Sequence, residues 1–110
     1  MTREKILAAR DRASEQVDVP EWGGPVRVSV MSGAQREKLM KSLKTEHTPN
    51  EFAAHMVAAT VVDEAGVPIF TDDDLGVIAN KSEEVLARIV GVAMRLNGFG
   101  ASAVEEAAKN

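Results

Sequence analysis

The spacing of apolar residues changes period along the chain, and each change predicts a new element. After a short amphipathic helix at the N-terminus, apolar and polar residues alternate from Val17 to Met31 on both sides of a Gly-Gly-Pro segment at 23–25. A period of two on either side of a glycine-rich turn is typical of a β-hairpin. Pro20 cannot donate a ladder hydrogen bond, so its strand is short or lies at a sheet edge. The polar residues 12–16 are interpreted as a loop.

Helix start signals follow this hairpin. Ser32 with Gln35, and Thr48 with Pro49 and Glu51, have the spacing of capping boxes. The same spacing recurs at three further positions: Thr71 with Asp74, Asn80 with Glu83, and Ser102 with Glu105. Each signal predicts the start of a helix.

The helix expected after Asn80 has the broadest apolar stripe, from Val85 to Leu96, and Gly98 should end it. We expect it to be the central element of the core. Before it, residues 60–62 and 67–70 favour strand on both sides of a turn at 63–66, which predicts a second short hairpin. The pattern predicts a single α+β domain over residues 1–110, with about five helices and two short β-hairpins.

Composition narrows the class of protein. The chain has 110 residues, 45% of them hydrophobic and 27% charged, which is the balance of an ordinary globular domain. It has no cysteine, which excludes disulfides, thiolate metal sites and thiol catalysis. The net charge of −4 argues against a nucleic-acid partner. No apolar run approaches the roughly 18 residues of a membrane span, and the N-terminus does not resemble a secretory signal.

Candidate metal ligands have simpler interpretations. Glu51 and His55 lie one helical turn apart, with His47 nearby, but Glu51 is the expected capping residue and no further ligand has supporting spacing. The acidic run at 72–74 lacks the offsets of a calcium loop, and acidic side chains suit the first turn of a helix. We therefore expect no metal and no other cofactor.

Catalytic and nucleic-acid motifs are also missing. The glycines at 23–25 do not form a phosphate-binding motif, and no serine lies in a nucleophile elbow. The basic residues Arg36, Lys38, Lys41 and Lys44 have no interleaved aromatic residues, and the lysines match a solvated helix face. We expect a protein that is not an enzyme.

Two aromatic residues stand at turns. Trp22 lies at the expected hairpin turn, and Phe99 lies between two glycines just after the longest helix. Each is either tucked against its turn or exposed as an anchor for a partner, because aromatic residues are enriched at binding hot spots. The sequence leaves both interpretations open.

The chain resembles the tail assembly chaperones of long-tailed bacteriophages and prophages. The most distinctive part is Val-Asp-Val-Pro-Glu-Trp-Gly-Gly at 17–24, followed by the alternating strand at 26–30 and a serine-led helix containing Arg36. The hairpin segment at 61–70, the helix at 86–96 with Asn97-Gly98, and the closing segment at 105–110 agree with the family in order.

This resemblance implies a non-catalytic chaperone that binds the tape measure protein and keeps it soluble until the tail tube polymerises. It implies self-association into a homo-oligomer, the major tail tube protein as a further candidate partner, and no nucleic acid or membrane. The protein would act in the host cytoplasm and be absent from the mature virion. The candidate partner-binding residues are Trp22, Phe99, Met94 and Leu96. The alternative is a structural virion component, such as a head–tail connector or tail completion protein.

Overall fold

The computed structural model describes residues 1–99, so the helix expected to start at Ser102 lies outside the described residues. The elements run along the chain as follows: α1 (Arg3–Ala8), β1 (Ser14–Val19), β2 (Gly24–Ser29), α2 (Gly33–Leu43), α3 (Pro49–Thr60), β3 (Val61–Val62), α4 (Leu75–Ala79) and α5 (Glu83–Leu96). Short 3₁₀ turns precede β2 and α4, at Pro20–Trp22 and Asp72–Asp74. Five helices and one antiparallel sheet confirm the predicted α+β class.

The first hairpin is present, and its first strand starts earlier than the sequence pattern indicated. Ser14 pairs with Ser29 at the open end of the β1–β2 ladder, and the Val30 N–H donates to the Ala13 carbonyl at 2.8 Å. The interpretation of residues 12–16 as a loop was therefore wrong from Ser14 onward. The pattern was misleading because both faces of the strand are polar there, whereas the backbone of β2 still needs partners.

The hairpin turn is a 3₁₀ turn closed by glycine. Gly23 has a φ of 92°, and its N–H donates to the Pro20 carbonyl at 3.0 Å. A positive φ is readily adopted by glycine and strained for other residues, which explains the glycine at this corner. Trp22 thus lies in the turn rather than in the strand.

Of the second predicted hairpin, the turn is present but the returning strand is not. Asp63 caps the turn, its carboxylate accepting from the N–H groups of Ala65 at 2.8 Å and Val67 at 3.0 Å. The returning segment pairs with β3 only through a bridge between Val62 and Pro68. Instead β3 pairs with β2, which gives a three-stranded sheet in the order β1-β2-β3.

Two capping boxes form as predicted. The Ser32 hydroxyl accepts from the Gln35 N–H at 3.1 Å, and the Gln35 side chain accepts from the Ser32 N–H at 2.8 Å. Thr48 and Glu51 make the same reciprocal pair at 3.0 and 3.1 Å. These bonds satisfy N–H groups that a helix start leaves without partners.

The predicted cap of α5 by Asn80 was wrong. The Asn80 side chain donates instead to the Gly76 carbonyl at 2.9 Å, at the end of α4, and Ser82 precedes α5 without a side-chain cap. Helix α4 ends immediately before Asn80, so the Gly76 carbonyl in the last turn of α4 is nearer to the Asn80 side chain than the N–H groups at the start of α5.

The core lies between one face of the sheet and the helices α3 and α5. The register places Val17, Val19, Val26, Val28 and Val61 on the same sheet face, because residues two apart in a strand share a face. Helix α5 packs on β1 and β2, and α3 packs beside it. In the predicted apolar stripe of α5, four residues are buried and two are half-buried: Val85, Leu86, Ile89 and Ala93, and then Val90 and Leu96. Met94 is buried as well.

Helix α1 differs from the others because it buries no residue. Every residue from 1 to 12 is exposed. Within residues 1–99, no helix has both the length and the apolar character that crossing a membrane requires.

Candidate partner-binding surfaces

Two ion pairs fix α5 across the sheet. The Arg88 guanidinium makes a bidentate pair with the Glu21 carboxylate, at 2.9 and 2.8 Å, and also donates to the Asp18 carbonyl at 3.2 Å. Seven residues further along the helix, Arg95 pairs with Glu15. Arg88 contacts Asp18 and Arg95 contacts Glu15, so residue numbers rise along α5 as they fall along β1. The two elements therefore run antiparallel.

The Arg88–Glu21 pair shifts the ionisation of both groups. Hydrogen bonding from Arg88 lowers the pKa of Glu21 to about 2, and the reciprocal bond raises the pKa of Arg88. Fork-to-fork geometry favours the charged form of both side chains. The turn that carries Trp22 is thereby tied to α5 while Glu21 is ionised.

Asn97 connects the other end of α5 to the sheet. Its buried amide oxygen accepts from the Met31 N–H at 2.7 Å, and its amide nitrogen donates to the carbonyls of Ala93 at 2.8 Å and Ser29 at 3.4 Å. Its backbone carbonyl accepts from Arg36 at 3.1 Å. The side chain of Asn97 thus joins β2 and the segment after it to the end of α5, and its backbone carbonyl adds a bond to α2.

Phe99 closes this end of α5. Gly98, with a φ of 74°, reverses the chain, and the Phe99 N–H then donates to the Met94 carbonyl at 2.9 Å. The Gly98 N–H donates to the Arg95 carbonyl at 3.3 Å, which completes a Schellman motif. The Arg36 guanidinium lies 4.4 Å from the centre of the Phe99 ring, a cation–π distance. The contacts of Phe99 therefore fit the tucked interpretation.

The four predicted partner-binding residues do not form one patch. Met94 is 6% exposed and belongs to the core, whereas Leu96, Phe99 and Trp22 are half-buried against it. Trp22 follows Glu21, which pairs with Arg88, and Arg88 lies about 12 Å along the axis of α5 from Leu96 at 1.5 Å per residue. Partner binding by these residues stays a prediction.

Trp22 borders a cleft of about 370 Å³ between the hairpin, β3 and the loop that follows β3. Its apolar lining includes Val26, Ile69 and Phe70, and Ile69 is 52% exposed. Polar side chains, among them Gln16 and Asp63, complete the lining. An apolar floor with polar neighbours is typical of the centre of a protein interface. The sequence analysis identified Trp22 but not the residues that surround it, because they come from all three strands and from the loop after β3.

A second, larger groove of about 550 Å³ lies between α3 and α5. Its apolar lining is formed by Phe52, Ala53, Leu86, Ala87 and Val90. The helical spacing of these residues was visible in the sequence, but it indicated only a core stripe. The two helices bury Phe52 and Leu86 at the floor of the groove and leave Ala53, Ala87 and Val90 partly or fully exposed.

The candidate metal ligands and the acidic run have structural roles. Glu51 is engaged in its capping box, and His55 lines a small pocket of about 120 Å³ with Lys38 and Asp72. Lys38 and Asp72 form an ion pair at 3.0 Å, and the Asp74 carboxylate accepts from the Thr71 N–H at 2.8 Å. Across residues 1–99, no three histidine or acidic side chains cluster as a metal site would require.

Comparison with known proteins gives a match in structure rather than in sequence. No protein-family model matches the chain, and no curated protein matches it. Among solved structures, the fold is similar to that of the bacteriophage HK97 tail assembly chaperone, with a TM-score of 0.64 and 19% sequence identity. The alignment covers 84% of this chain and 94% of that chain, so the similarity in fold extends over most of both proteins.

Proposed function

We propose that this protein is a phage tail assembly chaperone that binds the tape measure protein and keeps it soluble until the tail tube forms around it. The observation that carries the proposal is the similarity in fold to the HK97 tail assembly chaperone over 84% of this chain and 94% of that chain. The order of motifs along the sequence, from Val-Asp-Val-Pro-Glu-Trp-Gly-Gly onward, supports the same family independently of the coordinates.

The chemistry of the surface fits a holding function. Such a protein needs apolar contact area, charge that keeps the loaded complex soluble, and no reacting groups. The cleft beside Trp22 offers apolar contacts from Val26, Ile69 and Phe70, and the net charge of −4 favours solubility. We assign this cleft to the client, which would place an apolar side chain of a helix against the indole ring.

Co-expression with the tape measure protein of the same genome tests the proposal. The expected result is that the client is soluble and co-purifies with the chaperone, and that it aggregates without it. Ile69→Glu should strongly reduce capture, because a charge in the cleft loses solvation against an apolar client. Val77→Glu is the matched control, since Val77 is 62% exposed on α4 and does not line the cleft. A client that stays equally soluble without the chaperone would contradict the proposal.

The mature phage particle provides the second test. A chaperone acts before the tail is complete and should be missing from purified virions. A head–tail connector or tail completion protein would instead be present at a fixed number of copies. Mass spectrometry of purified virions therefore decides between these two functions without any variant.

A further inference from the structure

Residues 1–12, here called the arm, project from the fold without a packing surface of their own. Within the arm, α1 has six residues, capped by Thr2, whose hydroxyl accepts from the Lys5 N–H at 3.2 Å. Its apolar side chains Ile6 and Leu7 are 59% and 67% exposed. A single isolated helix this short is marginal in water, because nucleation is unfavourable and few hydrogen bonds follow it. The arm therefore needs a surface that covers these two side chains.

The body of the same chain does not offer that surface where the arm leaves it. Residues 9–12 run beside Ser14, Arg27 and Ser29, which share the sheet face opposite α5, and beside the turn at 64–66. The lining there is mostly polar and charged. The open apolar groove lies between α3 and α5, in the helical layer on the other face of the sheet. The sheet thus separates the arm from the groove of its own chain.

The arm and the groove have complementary charge. The arm contains four basic and two acidic side chains, a net charge of +2, so the other residues of the chain carry −6. Glu83 lines the groove, and the Glu51 carboxylate accepts from the N–H of Thr48, which is also a lining residue. None of the residues that line the groove is basic. Opposite charges at the rim of an apolar contact favour association and fix its orientation.

From these observations we propose that the arm of one copy docks into the α3–α5 groove of a second copy, with Ile6 and Leu7 against the exposed parts of Ala53, Ala87 and Val90. The contact joins different surfaces of the two copies. It is therefore heterologous, and it produces a ring if the rotation closes and an open filament if it does not. The inference concerns contacts between copies of this chain and does not depend on the proposed function.

The test uses the purified full-length chain and two variants that leave the body folded. Ile6→Ser with Leu7→Ser removes the apolar contacts of the arm without changing its charge. Ala87→Arg fills the groove from an exposed helical position and adds a charge that repels the arm. The matched controls are Val77→Ser on α4 and Ala34→Arg on α2, both at exposed positions outside the groove.

Light scattering after size-exclusion chromatography, over a range of protein concentrations, should show oligomers for the native chain and both controls. Each groove or arm variant alone should be monomeric. Mixing the two variants should give a one-to-one dimer, because the intact arm of one meets the intact groove of the other. The mass of the native oligomer should fall as salt is raised, since the charged rim is screened.

Three outcomes would overturn the inference. The native chain could be monomeric at every concentration, the arm variant could remain as oligomeric as the native chain, or the mixed variants could fail to associate. Spin labels on the arm and in the groove could also show that the two are in contact within a monomer. The arm would then dock on its own chain, and docking between copies would be refuted.

Discussion

At the scale of single residues, Asn97 makes the most demanding contacts in the described part of the chain. It is buried, and its side chain serves one N–H and two carbonyl groups from three different positions. Nothing in its sequence context distinguishes it from an ordinary helix-ending asparagine. Two of these partners, Met31 and Ser29, are more than sixty residues away in the sequence, so only the folded chain reveals this role.

Replacing Asn97 with alanine should lower the free energy of unfolding by about 2–3 kcal/mol, because the buried Met31 N–H and the carbonyls lose their partners. Urea denaturation followed by circular dichroism measures the change. Asn80→Ala is the control, since this exposed amide serves a single carbonyl at the end of α4 and its loss should cost less than about 1 kcal/mol. Equal effects of the two substitutions would contradict the assigned role of Asn97.

The Glu21–Arg88 pair predicts a stability that depends on pH. The folded-state pKa of Glu21, about 2, lies below its ordinary value of 4.5, so the pair stabilises the fold above the unfolded pKa. That contribution should fade as the pH falls from about 5 toward 2, as linkage requires. Urea denaturation of the native chain and of Glu21→Gln should therefore differ at neutral pH and converge in acid. A difference that stayed constant across this range would refute the assignment.

At the scale of elements, the sequence predicts most boundaries because the signals are local. The capping boxes at Ser32 and Thr48, the stripe of α5 and the stop at Gly98 depend on side chains within a few residues of one another. The errors at Ser14 and Asn80 have the opposite cause. In both cases the deciding partner is another element, the backbone of β2 or the end of α4, which a local pattern does not include.

Gly91 inside α5 and Gly98 just after its end should respond in opposite ways to replacement by alanine. Gly98 has a φ of 74° and closes the Schellman motif, so Gly98→Ala should destabilise the fold by about 1 kcal/mol through backbone strain. Gly91 lies inside the helix with open space for a methyl group, so Gly91→Ala should stabilise it by about 0.5–1 kcal/mol. Thermal denaturation compares both with the native chain. The same sign for both changes would show that the helix does not end as described.

At the scale of the whole molecule, the sequence indicated the class and the family resemblance but not the surfaces. Trp22 was identified from its position at a turn, and the α+β class from the periods of the pattern. The cleft beside Trp22 and the groove between α3 and α5 each combine segments that are distant in the chain. Which apolar residues stay exposed to solvent depends on how the helices and the sheet pack. A stripe of apolar residues has the same sequence pattern whether it is buried or exposed.

The separation of Trp22 from Phe99 leads to a prediction about the whole molecule. The two lie toward opposite ends of α5, one tied to it through Glu21–Arg88 and the other through Gly98. Distant sites that share no partner contribute independently, so the losses of stability in Trp22→Ala and Phe99→Ala should add to within about 0.5 kcal/mol in the double variant.

The amount of client captured in the co-expression assay should fall in Trp22→Ala, because Trp22 borders the cleft, and should change little in Phe99→Ala. If Phe99→Ala weakened capture as much as Trp22→Ala at equal stability, the client would have to span α5 from end to end, and the assignment of the cleft as its sole site would be wrong.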